Sequence, residues 1–322
     1  MAEVRISVVI CAYTGDRWPE LVAAVASVRR QTLAALEVIV VIDHNPALLA
    51  RARHELPGVV VVENREARGL SGARNSGVAA AHGDVVAFID DDAVAEPDWL
   101  EHLAIPYAEP RVMGVGGAIE PRWVHGRPAG FPTEFQWVVG CTYEGVPTAR
   151  AAVRNMIGAN MSARRELFGL VGGFREGIGR VGRLPTGCEE TELCIRARQR
   201  LPHAEFIYEP RARVTHTVPS TRATWAYFRS RCFAEGLSKA QVSSSAGRRD
   251  TLASERAYVL RTLPAGMMRG VTDTVRGDAG GLVRFSAILA GLLVTIAGYL
   301  VGMLRTGPEW SVGSISGERG RA

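Results

Sequence analysis

Lysine is almost missing from this chain. Of its 38 basic residues only Lys239 is a lysine, and the arginines that make up the rest are scattered, so the net charge of +5 forms no basic block. A nucleic-acid surface would concentrate that charge, and nucleic acid is not an expected partner. Cysteine is scarce as well: Cys11, Cys141, Cys188, Cys194 and Cys232 are odd in number and show neither CxxC nor Cys/His ligand spacing. That argues against a disulfide framework or a zinc site and for reduced thiols in a cytoplasmic domain. The opening stretch, "MAEVRISVVICAYTGD", is too short in its apolar part and too β-branched for a signal peptide. GxGxxG spacing is absent, which removes the main support for a hydride-transfer enzyme.

What is present is globular. With 47% hydrophobic and 22% charged residues, the 322-residue chain can bury one large α/β core, with an appendage. "VRISVVICAY" (4–13), "LEVIVVIDHN" (36–45), "GVVVVENRE" (58–66) and "GDVVAFIDDD" (83–92) are continuous β-branched runs that end in polar residues. Such runs suit strands covered on both faces of a parallel sheet. The helix-like stretches "PELVAAVASVRRQ", "ALLARARHEL" and "LSGARNSGVAAAH" lie between them, and this βαβαβαβ order predicts a doubly wound sheet. Ligands bind such sheets at the carboxyl ends of the strands. Ala12, Tyr13, Asp43, Asn45, Asn64 and the run Asp90, Asp91, Asp92 all fall on that rim.

Three adjacent carboxylates repel one another, so the cluster either takes a cation or lies in open water. Its position after a buried strand favours the cation. A second acidic group opens the helix-like segment "EETELCIRARQR" (189–200), with arginines in its last turn, a polarity that suits the helix dipole. Near the end of the chain, "FSAILAGLLVTIAGYLVGML" (285–304) has no charge and is long enough to cross a bilayer; a buried core helix is the other reading. Upstream, "LRTLPAGMMRGVTDTVRGD" (260–278) suits either lipid headgroups or an ordinary helix surface.

Taken in order, "ISVVICAY", "VIVVIDHN", "RGLSGARNSGVAAAHGDVVAFIDDDAV", "GANMSARRELFGLVGGF" and "GCEETELCIR" resemble the family 2 glycosyltransferases across residues 4–240. The resemblance implies a GT-A fold, a Rossmann-like, mixed but mainly parallel sheet flanked by helices, here with a C-terminal hydrophobic membrane helix. It implies an inverting enzyme that uses a nucleoside-diphosphate sugar and Mg²⁺ or Mn²⁺. Asp90 and Asp92 match the family's DxD pair, with His216 as a further metal ligand and Asp91 beside the donor. Ala12, Tyr13 and Arg17 would shape the nucleotide pocket and Asp43 would hold the base; "CAYTGDRW" lacks the asparagine that commonly follows the tyrosine, which leaves the base open. Arg74 would meet the diphosphate or remain a surface arginine. Asn160 would bond sugar hydroxyls or serve a turn. Glu190 takes the place of the family's catalytic base, with Glu189 and Glu192 as neighbours able to substitute or to complement the dipole.

"TWAYFRSRCFAEG" lacks the QxxRW sequence of processive synthases, so one sugar per encounter is expected. Trp225 and Arg229 would line the acceptor entrance, unless they belong to an amphipathic core helix. The expected organisation is a catalytic domain over 1–242, a juxtamembrane region over 243–283, a membrane helix over 284–305 and a tail over 306–322. The expected setting is the cytoplasmic face of the cell membrane, with a lipid-linked or cell-envelope glycan acceptor. Two rivals are a nucleotidyltransferase, which would need a basic phosphate loop near residues 12–18, and a non-catalytic sugar-nucleotide-binding protein.

Overall fold

In the computed structural model, residues 4–180, 186–246 and 253–305 are described. They form two compact units that interleave along the chain: Met1–Glu120, Pro147–Gly182 and Glu189–His216 make the first, and Pro121–Val146, Arg183–Cys188 and Thr217–Ala322 the second.

The first unit begins with the β-branched runs. β1 (Ile6–Ala12), β2 (Glu37–Ile42), β3 (Val60–Glu63) and β4 (Val85–Asp90) pair in parallel, β1 between β2 and β4 and β2 beside β3. They are joined by α1 (Trp18–Arg29), α2 (Pro46–Glu55) and α3 (Leu70–Ala80). Asn45 caps α2, its Oδ1 accepting from the Leu48 N–H at 3.0 Å, so this rim residue is used locally. The sheet then turns antiparallel through β5 (Ala93–Ala95), β6 (Val112–Trp123), β7 (Ala151–Val153), β8 (Asn160–Arg164) and β9 (Glu205–Val218). Strand order is β3-β2-β1-β4-β8-β6-β9-β5, with β7 on β9. The helices α4 (Trp99–Ala104), α5 (Arg165–Val171) and α6 (Glu189–Arg200) complete this part of the chain. Val9, Ile39, Val41 and Phe88 pack with Leu167, Phe168 and Leu193 in one core, which is why the first strands carry no polar alternation.

The antiparallel half is fastened by Asn160. Its Nδ2 donates to the carbonyls of Ala118 and Ala212, both at 2.8 Å, and its Oδ1 accepts from Trp99 Nε1 at 2.8 Å. The side chain has no solvent exposure, and a Cβ at Gly117 would collide with the Ala212 carbonyl, so strands meet closely here. The expectation that Asn160 binds sugar hydroxyls is therefore corrected, because both ends of the amide are spent on the scaffold.

The second unit is built on α7 (Trp225–Ala246), followed by α8 (Ala253–Ala257), a π turn over Tyr258–Thr262, α9 (Leu263–Val275) and α10 (Gly280–Arg305). The expected boundary at 242 falls inside α7 and that at 284 inside α10; the expected tail, 306–322, lies outside the described residues. Aromatic rings knit the unit: Phe228 lies 5.3 Å from Phe135 and 5.7 Å from Phe131 between ring centroids. On α7, Glu235 bonds Arg231 at 2.8 Å and Lys239 at 3.3 Å, and Lys239 reaches Glu255 at 2.7 Å.

Two ion-paired carboxylates, buried Glu209 and half-buried Glu235, make the fold acid-sensitive. Burial opposes the charge on Glu209, but hydrogen bonds from Arg211 and Arg150 outweigh it and hold its pKa at about 2. For Glu235 burial is likewise overcome, by Arg231 and Lys239, again to about 2. Both folded values lie below the ordinary 4.5, so this stabilisation is present above about pH 4.5 and is lost as pH falls towards 2. Thermal melts between pH 5 and pH 2 should show a falling Tm, with a shallower fall in Glu209→Gln. Asn160→Ala, by stranding Trp99 Nε1 and two carbonyls, should cost on the order of 3 kcal/mol in denaturant unfolding.

Candidate active site

The carboxyl ends of β1, β2 and β4 carry the candidate residues of the first unit. Ala12 is buried at the end of β1, and its carbonyl accepts from the Asp43 N–H at 2.8 Å. Asp43 is buried and gripped from two sides, its Oδ1 accepting from Asn64 Nδ2 at 2.6 Å and its Oδ2 from the Gly69 N–H at 3.0 Å. Asn64 also turns the loop after β3, with Oδ1 accepting from the Glu66 N–H. On the rim, Asn64 thus orients Asp43. Next to this pair Tyr13 stays exposed, with the Arg17 guanidinium 5.0 Å from its ring centroid.

The acidic run meets basic side chains from three elements. Arg17, just before α1, reaches Asp91 at 3.0 Å and Asp92 at 3.0 Å. Burial works against charge on Arg17, and Asp91 and Asp92 more than restore it, raising its pKa. His216 lies opposite Ala93 in the β5–β9 ladder, one residue past Asp92, and that register sets its Nε2 3.0 Å from Asp92 Oδ1. Asp91, Asp92 and His216 are all buried, while Asp90 is partly open. Asp90, Asp92 and His216 offer ligand atoms that all lie within 4.8 Å of one another. Two carboxylates and one imidazole form a donor set that fits Mg²⁺ or Mn²⁺.

Arg74 is the third of these side chains and is not at the surface. It is 2% exposed, donates from Nη1 to Glu189 Oε1 at 2.7 Å and from Nη2 to the Gly158 carbonyl at 3.0 Å, and lies 3.8 Å from Asp90 Oδ1. Burial disfavours its charge, but Glu189 first and then Asp90 raise its pKa. Gly158 makes room for it, since a Cβ there would stand 2.7 Å from Nη2. The glycine of "GAN" thus serves Arg74, and the surface reading of Arg74 is corrected by its burial.

The three glutamates that open α6 have separate surroundings. Glu189 is buried against Arg74. Glu192 is buried too, clasped by Arg196 at 2.8 Å and by Arg175 at 3.1 Å, which removes it from the set able to act as a base. Glu190 is half-buried, with Oε1 3.5 Å from the Thr191 hydroxyl. Cys188, just ahead, has a left-handed backbone (φ 74°), a sharp entry into the helix. In the second unit Trp225 is 45% exposed at the start of α7, its ring 5.3 Å from that of Phe228, and Arg229 is exposed beside it.

Comparison with known proteins fits this geometry. The family described as "Glycosyl transferase family 2" matches residues 7–171. A glucosyl-dolichyl phosphate glucuronosyltransferase of Haloferax volcanii is 38% identical over 239 residues, 73% of this chain and 76% of that protein. The succinoglycan biosynthesis protein ExoM of Rhizobium meliloti is 27% identical over 240 residues, 72% of this chain and 73% of the relative. Among solved structures, the mannosyltransferase PcManGT of Pyrobaculum calidifontis, in complex with GDP-Man and Mn²⁺, aligns with a TM-score of 0.59 at 20% identity, covering 94% of this chain and 87% of that one. The mixed sheet, the match over half the chain and the Haloferax relative together make this chain a member of the family 2 glycosyltransferases, an enzyme with the GT-A fold.

Proposed function

We propose that the chain is a metal-dependent, inverting glycosyltransferase that moves one sugar per encounter from a nucleoside-diphosphate sugar to a lipid-linked acceptor at the cytoplasmic face of a membrane. The observation that carries this reading is the chain of charge running from Asp92 and Asp90 through Arg74 to Glu189, which ties an oxygen-rich metal donor set to the acidic start of α6. Asp90, Asp92 and His216 would hold Mg²⁺ or Mn²⁺, which when bound neutralises charge on the leaving diphosphate. Tyr13 and Asp43 receive the nucleotide, Tyr13 by its exposed ring and Asp43 through the base.

Glu190 acts as the base. The acceptor hydroxyl oxygen attacks the anomeric carbon, its proton passes to the Glu190 carboxylate, and the bond from the anomeric carbon to the phosphate oxygen breaks with its electron pair on the departing nucleoside diphosphate. The configuration at carbon is inverted. Arg74 pairs with Glu189 and holds it in place, so that Glu190, half-buried, is the carboxylate of the two left to meet the acceptor. The lipid-linked acceptor is supported by the Haloferax relative, whose name specifies a glucosylated dolichyl phosphate. Five free cysteines support a reducing compartment. Trp225 and Arg229 remain candidates for acceptor contact.

The test is nucleotide release from a panel of nucleoside-diphosphate sugars with Mn²⁺, Mg²⁺ or EDTA, with and without a membrane lipid extract. Metal-dependent release from one donor, increased by lipid, is expected; a donor that binds with metal but is never turned over would favour a binding protein. Asp92→Ala should abolish metal-dependent donor binding. Glu190→Gln should leave donor affinity unchanged and slow transfer by roughly 10²- to 10⁴-fold. Equal loss of binding in both variants would overturn this division of roles.

A further inference from the structure

Within the second unit, α10 has two unlike sides. On one, glycines let α7 come close: a Cβ at Gly298 would collide with the Phe233 carbonyl, one at Gly236 with the Thr295 carbonyl, and one at Gly302 would stand 2.6 Å from Ala240. On the other, Leu282, Leu289, Leu293, Ile296, Leu300 and Leu304 are exposed. Their spacing of three, four and seven residues sets them in one row along the whole helix, without a charge. α9 repeats the pattern with Met268, Val271 and Val275, all exposed, in line with exposed Leu260 just before it.

α9 and α10 run antiparallel, since a Cβ at Gly266 would meet Ile288 and one at Gly270 would meet Phe285. In an antiparallel pair of this register the two apolar rows face the same side. Soluble monomers rarely leave an apolar surface of this extent open.

α10 is 26 residues long, about 39 Å at the helical rise per residue, and by length alone it could cross a bilayer. A crossing helix is surrounded by lipid or by apolar partners. Here the partner along its length is α7, which carries Arg231, Glu235 and Lys239 in one ion-paired cluster. Sinking α10 to the middle of the bilayer would take those charges with it, a strongly unfavourable transfer. An interfacial helix with one apolar row meets no such penalty.

Charge adds a second argument. The hairpin's acidic residues, Asp273 and Asp278, are both held by Arg284 at 2.7 Å. Arg256, Arg261 and Arg276 are exposed along the same segment, so its outer charge is positive and complements anionic headgroups.

We propose that α9 and α10 form a monotopic docking surface that lies in the plane of an anionic lipid bilayer, with α10 embedded along one side and not spanning. This deepens the membrane setting of the proposed function and rests on it.

The experiment is flotation of the full-length protein with vesicles of phosphatidylcholine alone and of phosphatidylcholine with phosphatidylglycerol. Wild type should float with the anionic vesicles, less so at high salt. Leu293→Asp with Leu300→Asp, and separately Val271→Asp with Val275→Asp, should reduce flotation by roughly tenfold or more while circular dichroism is unchanged. The second pair guards against a folding defect in the first. In inside-out membrane vesicles from cells carrying the protein with a tag at each end, added protease should remove both tags. Protection of one tag would mean that α10 spans and would overturn the proposal. So would wild type that fails to float but sediments as a dimer that the aspartate substitutions dissociate, since the apolar rows would then cover a second copy. Donor turnover in detergent keeps the two readings apart: wild type that floats but turns over no donor leaves the docking surface standing and removes the proposed function.

Discussion

Everything at the candidate site follows from one electrostatic constraint, that three consecutive carboxylates at the end of a buried strand must be neutralised. The chain meets it with side chains from three distant places: Arg17 before α1, Arg74 from α3 and, 3.0 Å from Asp92, His216 from β9. Each brings its own element to the rim. The β5–β9 register, the space left by Gly158 and the exposed ring of Tyr13 beside Arg17 are conditions for placing those side chains. Under the proposed function, a bound cation and a diphosphate would rearrange or share the same partners, so folding and donor binding would draw on one set of charges.

Division of labour among the glutamates of α6 comes from the same source. Identical side chains at 189, 190 and 192 reach different environments because the helix turns each towards a different neighbour, Arg74 for the first and Arg196 with Arg175 for the last. Arginine suits both places, since its planar fork serves a carboxylate and a carbonyl together: Arg74 bonds Glu189 and Gly158 in this way.

Locally patterned features were legible in the sequence. The four parallel strands, the acidic run and the limits of α6 depend on residues close together in the chain, and hydrophobic continuity or charge polarity reveals them. Family resemblance singled out His216, but that it lies beside Asp92 could be seen only from the ladder between β5 and β9. What escaped was whatever depends on long-range register. Asn160 in "GAN" looks like a loop residue, yet it begins a central strand and is consumed by Ala118, Ala212 and Trp99. Arg74 in a glycine-rich stretch looks superficial until α6 closes over it. The boundary at 242 failed to coincide with a structural break because α7 continues through it, its apolar and ionic partners lying far away in sequence.

The scarcity of lysine has a chemical consequence. The one lysine, Lys239, is held between Glu235 and Glu255, and although burial disfavours its charge these carboxylates raise its pKa further, so the amine stays protonated and poorly nucleophilic. Reagents that acylate or cross-link ε-amines therefore have a single target side chain, and it is engaged in ion pairs. Its cationic surface is made of guanidinium groups, which keep their charge at any pH that the fold survives.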